Sequence, residues 1–173
     1  NKLDKKYQFS SESDLEAYLI LALKNTEAEE YQSISKLLKK FDNNDLHSSC
    51  VYNQFIFGNA YPSDVAVVNM DNINVFELKK DSLSSNSIAQ IEKELKKHLY
   101  YSLFSNRLQS KNPKRFNFYL VYLKNENNGA FRQLIFKKYK DLCKKINSQR
   151  ENTLTLVEYS IKNNALLLEE TEP

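Results

Sequence analysis

The sequence predicts an α/β fold in which helices flank a central mixed β-sheet. Segments with apolar side chains at helical spacing alternate with short β-branched and aromatic runs, in the order helix, strand, hairpin, helix, strand, helix, strand. The composition agrees, because 173 residues with 41% hydrophobic side chains suit one full core, and only two glycines and three prolines argue against a loop-rich sandwich. Residues 1–173 are therefore expected to form a single domain.

Two helical segments are expected near the start of the chain. Ser13–Glu16 has the pattern of a capping box, and an apolar stripe at helical spacing continues from it to Leu23. Thr26–Glu29 is a second capping-box pattern, whose stripe runs to the helix breaker Asn43-Asn44. The pattern fits two helices or one bent helix. Residues 51–58, β-branched and aromatic, predict the first strand.

A predicted β-hairpin within residues 61–81 carries charged side chains inside its strands. Apolar and polar residues alternate on either side of Asp71-Asn72, which has turn chemistry. Counting back from that turn pairs Asp64 with Lys79 and puts Glu77 on the same face, diagonal to Asp64 at roughly 7–8 Å between Cα atoms. The inference requires a turn of even length, because a slip of one residue would move Asp64 to the other face.

Two carboxylates and a lysine at one strand end suggest a divalent cation site. Like charges that converge without a partner resist ionising together, and a cation resolves the conflict. Oxygen ligands suit Mg²⁺ or Mn²⁺, and a lysine beside them can orient or help deprotonate an attacking water. The alternative is a surface hairpin in which Asp64 and Lys79 form an ordinary cross-strand ion pair. The mostly apolar strand around Glu77 reads as buried, which favours a functional site.

The rest of the chain supplies the other elements of the sheet and its helices. A serine-rich segment after residue 81 is typical of a helix N-terminus, so a helix is expected directly behind the charged residues. The later predicted elements are the helix 88–102, the strand 116–123, the helix 131–146 and the strands 153–161 and 165–168, the last two joined by a turn at Lys162–Asn164.

The charged hairpin resembles the motif of a known family. Pro62-Ser63-Asp64, then a turn, then an apolar residue and Glu77-Leu78-Lys79 is similar to the PD-(D/E)XK, or restriction-endonuclease-like, nuclease superfamily. Ser63 separates a proline and an aspartate that are usually adjacent in that family. The likeness extends over most of the chain, from Ser13 to Tyr159. It implies a restriction-endonuclease-like core and the activity of a metal-dependent nuclease.

The resemblance also implies roles for the hairpin residues. Asp64 and Glu77, with the backbone carbonyl of Leu78, would hold Mg²⁺, for which Mn²⁺ can substitute. Lys79 would position the nucleophilic water. No organic small-molecule cofactor is expected.

Two helical positions are further candidates by resemblance. An acid on the first helix often completes the metal site of this family, and Glu16 is the candidate, with Glu12 one turn earlier in reserve. A glutamate at the third position of a capping box already has a structural role, which competes with this assignment. Gln90 falls where the family often has a glutamine near the metal-bound water, while Glu94 stands where some subfamilies have an aromatic residue. Gln90 lies off the apolar stripe, so a solvated glutamine fits equally well.

The charge distribution is compatible with an anionic polymer as ligand. The net charge of +3, from 25 basic and 22 acidic residues, is small, but the acids gather at the two ends of the chain and leave the middle basic. Solvated helix faces would explain many lysines individually. A basic turn before the strand 116–123 suits phosphate contacts, or is a polar connection only. The candidates for nucleic-acid binding are Lys80, Lys97, Lys111, Lys114 and Arg115.

We therefore expect a metal-dependent DNA nuclease, either structure-selective like a junction resolvase or of restriction type. The alternative is an inactive nucleic-acid-binding or interaction module of the same fold. A homodimer is the expected active form, because one small domain with one set of acids addresses one scissile phosphate at a time. The aromatic segment Tyr100–Phe104 is the candidate interface, unless it packs under the strand 116–123.

Cysteine content and hydropathy bear on the compartment. Two cysteines, Cys50 and Cys143, make neither a metal cluster nor a disulfide framework, so a reducing cytoplasm is expected. No apolar run approaches the ~18 residues of a membrane-spanning helix, and no membrane partner is expected.

Overall fold

Among the residues that the structure describes, six strands form one mixed sheet with helices on both faces, which confirms the predicted fold class. The computed structural model describes residues 9–55, 63–108, 114–146 and 152–172. The strands lie in the sheet in the order in which they occur along the chain: β1 (Cys50–Phe55), β2 (Ser63–Val68), β3 (Asn72–Leu78), β4 (Arg115–Leu123), β5 (Asn152–Lys162) and β6 (Ala165–Thr171). The central strands β3, β4 and β5 run parallel, and the remaining pairs are antiparallel.

The helices sort the alternating strand residues into two cores. The α-helices are α1 (Glu12–Leu23), α2 (Glu29–Leu38), α3 (Ser85–Leu108) and α4 (Asn128–Ile146). Phe76 and Leu78 of β3 pack with α1 and α2, whereas Ile73 and Val75 pack with α3 and α4. Because Glu77 alternates with Phe76 and Leu78, its side chain belongs to the face covered by α3. Within the described residues, no helix is both long and apolar enough to cross a membrane.

The turn between β2 and β3 differs from the prediction. The turn residues are Met70-Asp71 rather than Asp71-Asn72, because the Asn69 amide donates to the Asn72 carbonyl and Val68 pairs with Ile73. The cause is the Asn69 side chain, whose Oδ1 accepts the backbone N–H groups of Asp71 and Asn72. The turn still has two residues, so the pairing shifts by two positions and every side chain keeps its predicted face.

Both predicted capping boxes are wrong. The N-cap of α1 is Ser11, whose hydroxyl accepts the backbone N–H of Asp14 at 3.1 Å, so the helix starts before Ser13 and leaves Glu16 without a capping role. The N-cap of α2 is Ala28, which makes no side-chain cap. The two helices are nevertheless separate, one of the alternatives that the sequence allowed.

The turn between β5 and β6 is as predicted. Asn163 and Asn164 both adopt left-handed φ angles, 51° and 61°, which suits a two-residue hairpin turn. The predicted strand 51–58 is observed as Cys50–Phe55, and residues 56–58 lie outside the described part of the chain.

A buried glutamate joins α2 to the edge strand β6. Glu30 is 6% exposed, and its Oε1 accepts the Tyr18 hydroxyl at 2.7 Å and the Leu166 amide at 2.9 Å. Burial alone would raise the pKa of Glu30, but these two hydrogen bonds outweigh it and the pKa is lowered.

Glu30→Ala is expected to lower the free energy of unfolding by about 2 kcal/mol, because it leaves the buried Leu166 amide and the half-buried Tyr18 hydroxyl without an acceptor. Urea unfolding at neutral pH measures the change. Glu29→Ala, at the exposed neighbouring position, is the control and should stay within about 0.5 kcal/mol of the wild type. Equal stability of the two variants would contradict the role of Glu30.

Candidate active site

Asp64 and Glu77 lie side by side on neighbouring antiparallel strands. The register of β2 and β3 continues one step beyond the pair Val65 and Phe76, which brings the two acids opposite each other. The backbone amide of Leu78 donates a 2.8 Å hydrogen bond to Oδ2 of Asp64. The two carboxyl groups also hydrogen-bond to each other. The two acids are thus direct neighbours rather than the predicted diagonal ones.

Burial and like charge make this pair of acids difficult to ionise. Glu77 is 6% exposed, and burial, followed by the charges of Asp64 and Glu94, raises its pKa well above the ordinary value. Burial also raises the pKa of Asp64, although the Leu78 amide and the Lys79 charge partly offset it. Two such carboxyl groups ionise together only when a cation compensates their charge.

Lys79 forms an ion pair with Glu94 of helix α3 rather than with Asp64, the partner in the surface-hairpin alternative. Its Nζ lies 3.2 Å from Oε1 of Glu94, and the lysine is only 8% exposed. Oε2 of Glu94 is buried and has no hydrogen-bond partner among the described residues. Burial raises the pKa of Glu94, and the Lys79 charge opposes this shift. Helix α3 therefore fixes the position of the ammonium group beside Glu77.

The role predicted for Gln90 near a metal-bound water stays a prediction. The inward stripe of α3 contains Ile88, Ile91 and Leu95, which leaves Gln90 on the exposed surface. Glu94 follows one turn later and is the α3 residue that reaches Lys79. In the sequence, Glu94 stands out only as a departure from the resembled motif, and the signal for its role is an acid one turn after Gln90.

Glu16 is connected to Asp64 through Gln54, and its predicted role as a metal ligand stays a prediction. It is 8% exposed, and the Nε2 of Gln54 in β1 donates to both of its carboxylate oxygens at 2.8 Å. Burial raises the pKa of Glu16, the Gln54 hydrogen bonds oppose the shift, and the charge of Asp64 adds to it. Glu12 is exposed, and its charge acts on Glu94 rather than on Asp64. The role of Gln54 could not be predicted from the sequence, because no local motif identifies it.

The donor set fits a hard divalent cation with few protein ligands. Among the described residues, no group of three or more His, Cys, Asp or Glu side chains is arranged to hold a metal ion. Asp64 and Glu77 nevertheless supply adjacent carboxylates with raised pKa values, which a cation would relieve. Mg²⁺ usually keeps several waters and binds through one or two carboxylates, so this pair meets its requirement.

Of the predicted basic residues that the structure describes, Arg115 lies far from these acids, whereas Lys80 is close to them in the chain. Lys80 is half-buried and pairs with Asp81 at 3.3 Å. Arg115, the first residue of β4, lies opposite Asn72 at the start of β3. Glu77 lies near the other end of β3, so at ~3.3 Å per residue the two positions are about 17 Å apart along the strand. Lys114 precedes Arg115. The guanidinium of Arg115 lies 5.5 Å from the centre of the Phe41 ring.

The predicted DNA contacts of Lys97 and Lys111 and the predicted dimer interface at residues 100–104 stay predictions. Lys97 is half-buried on α3. Lys111 and the side chains of the aromatic segment 100–104 lie outside the described part of the chain.

Comparisons with known proteins show little. No protein-family model matches the chain, and no curated protein matches it. Among solved structures, the chain is similar to SfsA from Pyrococcus furiosus in complex with Ca²⁺, with a TM-score of 0.40 and 8% sequence identity over 81% of this chain. The matched part is 60% of the SfsA chain. A similarity this weak carries no conclusion about activity.

Proposed function

We propose that this protein is a metal-dependent DNA nuclease that hydrolyses phosphodiester bonds. The observation that supports the proposal most is the adjacent pair of half-buried Asp64 and buried Glu77, with Lys79 fixed beside it. Buried acids with raised pKa values are costly to keep in a protein that does not use them. The PD-(D/E)XK-like order of these three residues along the chain supports the same function.

Asp64, Glu77 and the carbonyl of Leu78 would hold Mg²⁺ or Mn²⁺, with Glu16 as a further acid within reach of Asp64. When bound, the ion stabilises negative charge on the reacting phosphate. Lys79 orients the attacking water through its ammonium hydrogens, and the ion pair to Glu94 keeps that group in place. The low exposure of Glu77 and Lys79 limits access of bulk water, which strengthens these charge interactions.

The alternative is an inactive nucleic-acid-binding module of the same fold. A degenerate relative of a nuclease would be expected to lack one of the three groups, whereas Asp64, Glu77 and Lys79 are all present and close together. The nuclease is therefore favoured over the binding module. A structure-selective or restriction-type enzyme that acts as a homodimer remains part of the proposal, and light scattering at micromolar concentration tests the dimer.

Incubation of the purified protein with Mg²⁺ and linear, circular, branched and single-stranded DNA tests the activity. Cleavage of at least one substrate is expected, together with its loss in EDTA and in Glu77→Ala, because each removes the cation or one of its ligands. Glu92→Ala is the matched control, because Glu92 lies on α3 and pairs with Lys138 away from the site. No cleavage of any substrate by the wild type, or cleavage by Glu77→Ala at the wild-type rate, would reject the proposal.

A further inference from the structure

We propose that Gln54 is a positioning residue that links Glu16 to Asp64 and so fixes the Asp64 carboxylate at the proposed metal site. The inference rests on the proposed metal site and adds a residue to it. Gln54 has a φ of 53°, in the left-handed region that glycine and asparagine adopt more readily than glutamine. Left-handed residues of other types persist where the surrounding structure compensates for the strain, and they cluster at functional sites.

The position of Gln54 links the elements that carry the acids. The register of β1 and β2 pairs Asn53 with Val65 and Phe55 with Ser63, so Gln54 falls opposite Asp64. Asp64 in turn lies opposite Glu77 of β3. Gln54, Asp64 and Glu77 thus form one row across three neighbouring strands.

The side chain of Gln54 joins that row to helix α1. Its Nε2 donates to both carboxylate oxygens of Glu16 at 2.8 Å, and the amide also hydrogen-bonds to Asp64. Glu16 and Asp64 repel each other, and the shared amide draws both towards one point.

A neutral amide is suited to this task. A lysine or arginine at the same place would neutralise the acids and compete with a metal ion for them. The amide of Gln54 orients Glu16 and Asp64 without adding charge, which leaves the Asp64 carboxylate available as an anionic ligand. Groups that orient metal ligands in this way typically change metal affinity 10–100-fold when they are removed.

The test compares Gln54→Gly with Gln54→Asn. Glycine accepts the left-handed φ but has no amide, and asparagine also tolerates this φ but has a side chain one methylene shorter. Calorimetry with Mn²⁺ gives the metal affinity, and thermal unfolding of the metal-free protein gives the stability. Asn164→Gly is the matched control, because Asn164 has a φ of 61° in the turn between β5 and β6 and does not contact the acids.

Both Gln54 variants are expected to bind Mn²⁺ roughly 10–100-fold more weakly than the wild type. The Tm should stay within about 4 °C, because relief of the backbone strain offsets the lost hydrogen bonds. The control should keep the wild-type affinity. Wild-type Mn²⁺ affinity in Gln54→Gly and Gln54→Asn would overturn the role of Gln54 and leave the proposed nuclease intact. A wild-type protein that binds no Mn²⁺ would instead reject the metal site, and the role of Gln54 with it.

Discussion

Replacement of Lys79 by alanine is expected to lower DNA turnover roughly 10²–10⁴-fold, the range for loss of a group that assists proton transfer or orients a nucleophile. Binding of metal and of DNA should persist, because Lys79 supplies neither a metal ligand nor the main contact area. The ammonium group lies 3.2 Å from Glu94 and is nearly buried, so the fold fixes its position. Single-turnover cleavage assays at saturating Mg²⁺ measure the loss.

Lys80→Ala is the control for this experiment. Lys80 is more exposed and pairs with Asp81, so its removal should change turnover less than about threefold. Lys79→Ala leaves the Glu94 carboxylate without its partner, which can destabilise the fold. Lys79→Ala/Glu94→Gln is therefore a second variant, in which no unpaired carboxylate remains at position 94. Wild-type turnover in both Lys79 variants would contradict the assigned role.

Glu77→Gln is expected to raise the Tm of the metal-free protein by several degrees at neutral pH and to abolish Mn²⁺ binding. Burial and the charges of Asp64 and Glu94 disfavour ionised Glu77, and glutamine removes that penalty with nearly the same shape. In a domain of this size, each kcal/mol of added stability shifts Tm by about 2–4 °C. A residue that destabilises the fold and is needed to bind metal is functional rather than structural.

The pH dependence of the metal-free protein has a definite sign. Asp64, Glu77 and Glu94 have pKa values raised above those of the unfolded chain, so the folded state holds more protons. The stability that these three groups contribute is therefore fully present below the unfolded values of about 4 and is lost as pH rises through their raised pKa values. Glu30, with a lowered pKa, contributes stability that is present above pH ~4.5 and is lost at lower pH.

Thermal unfolding of wild type and Glu77→Gln at pH 5.5 and pH 7.5 separates the effect of the raised pKa values from that of Glu30. Both pH values lie above the range in which the Glu30 contribution is lost. The wild type should lose stability between the two values, and Glu77→Gln should lose less. A wild type that is more stable at pH 7.5 would contradict the raised pKa values.

The sequence predicts the order of the elements and the faces of β2 and β3, because both follow from local alternation. Asp64 and Glu77 could be assigned to one face since any two-residue turn preserves it. The position of that turn could not be assigned, because it depends on hydrogen bonds that the Asn69 side chain makes in the folded hairpin. The start of α1 was missed because Ser11 and Ser13 have equivalent local chemistry, and only the observed hydrogen bond to Asp14 distinguishes them.

The supporting residues of the site could not be predicted, because their contacts join distant parts of the chain. Glu94 meets Lys79 across 15 residues, and Gln54 meets Glu16 across 38. Arg115 was assigned to DNA binding from its basic neighbourhood alone. Because β4 runs parallel to β3, its first residue lies at the end where β3 begins, away from Glu77.

Calorimetric titration of the metal-free protein with Mn²⁺ at neutral pH tests the central claim most directly. The claim is that the Asp64 and Glu77 pair binds a divalent cation. Saturable binding is expected in the wild type, and its loss is expected in Asp64→Ala and in Glu77→Ala, with both variants still folded by circular dichroism. Absence of binding in the wild type, or unchanged binding in both variants, would contradict the claim.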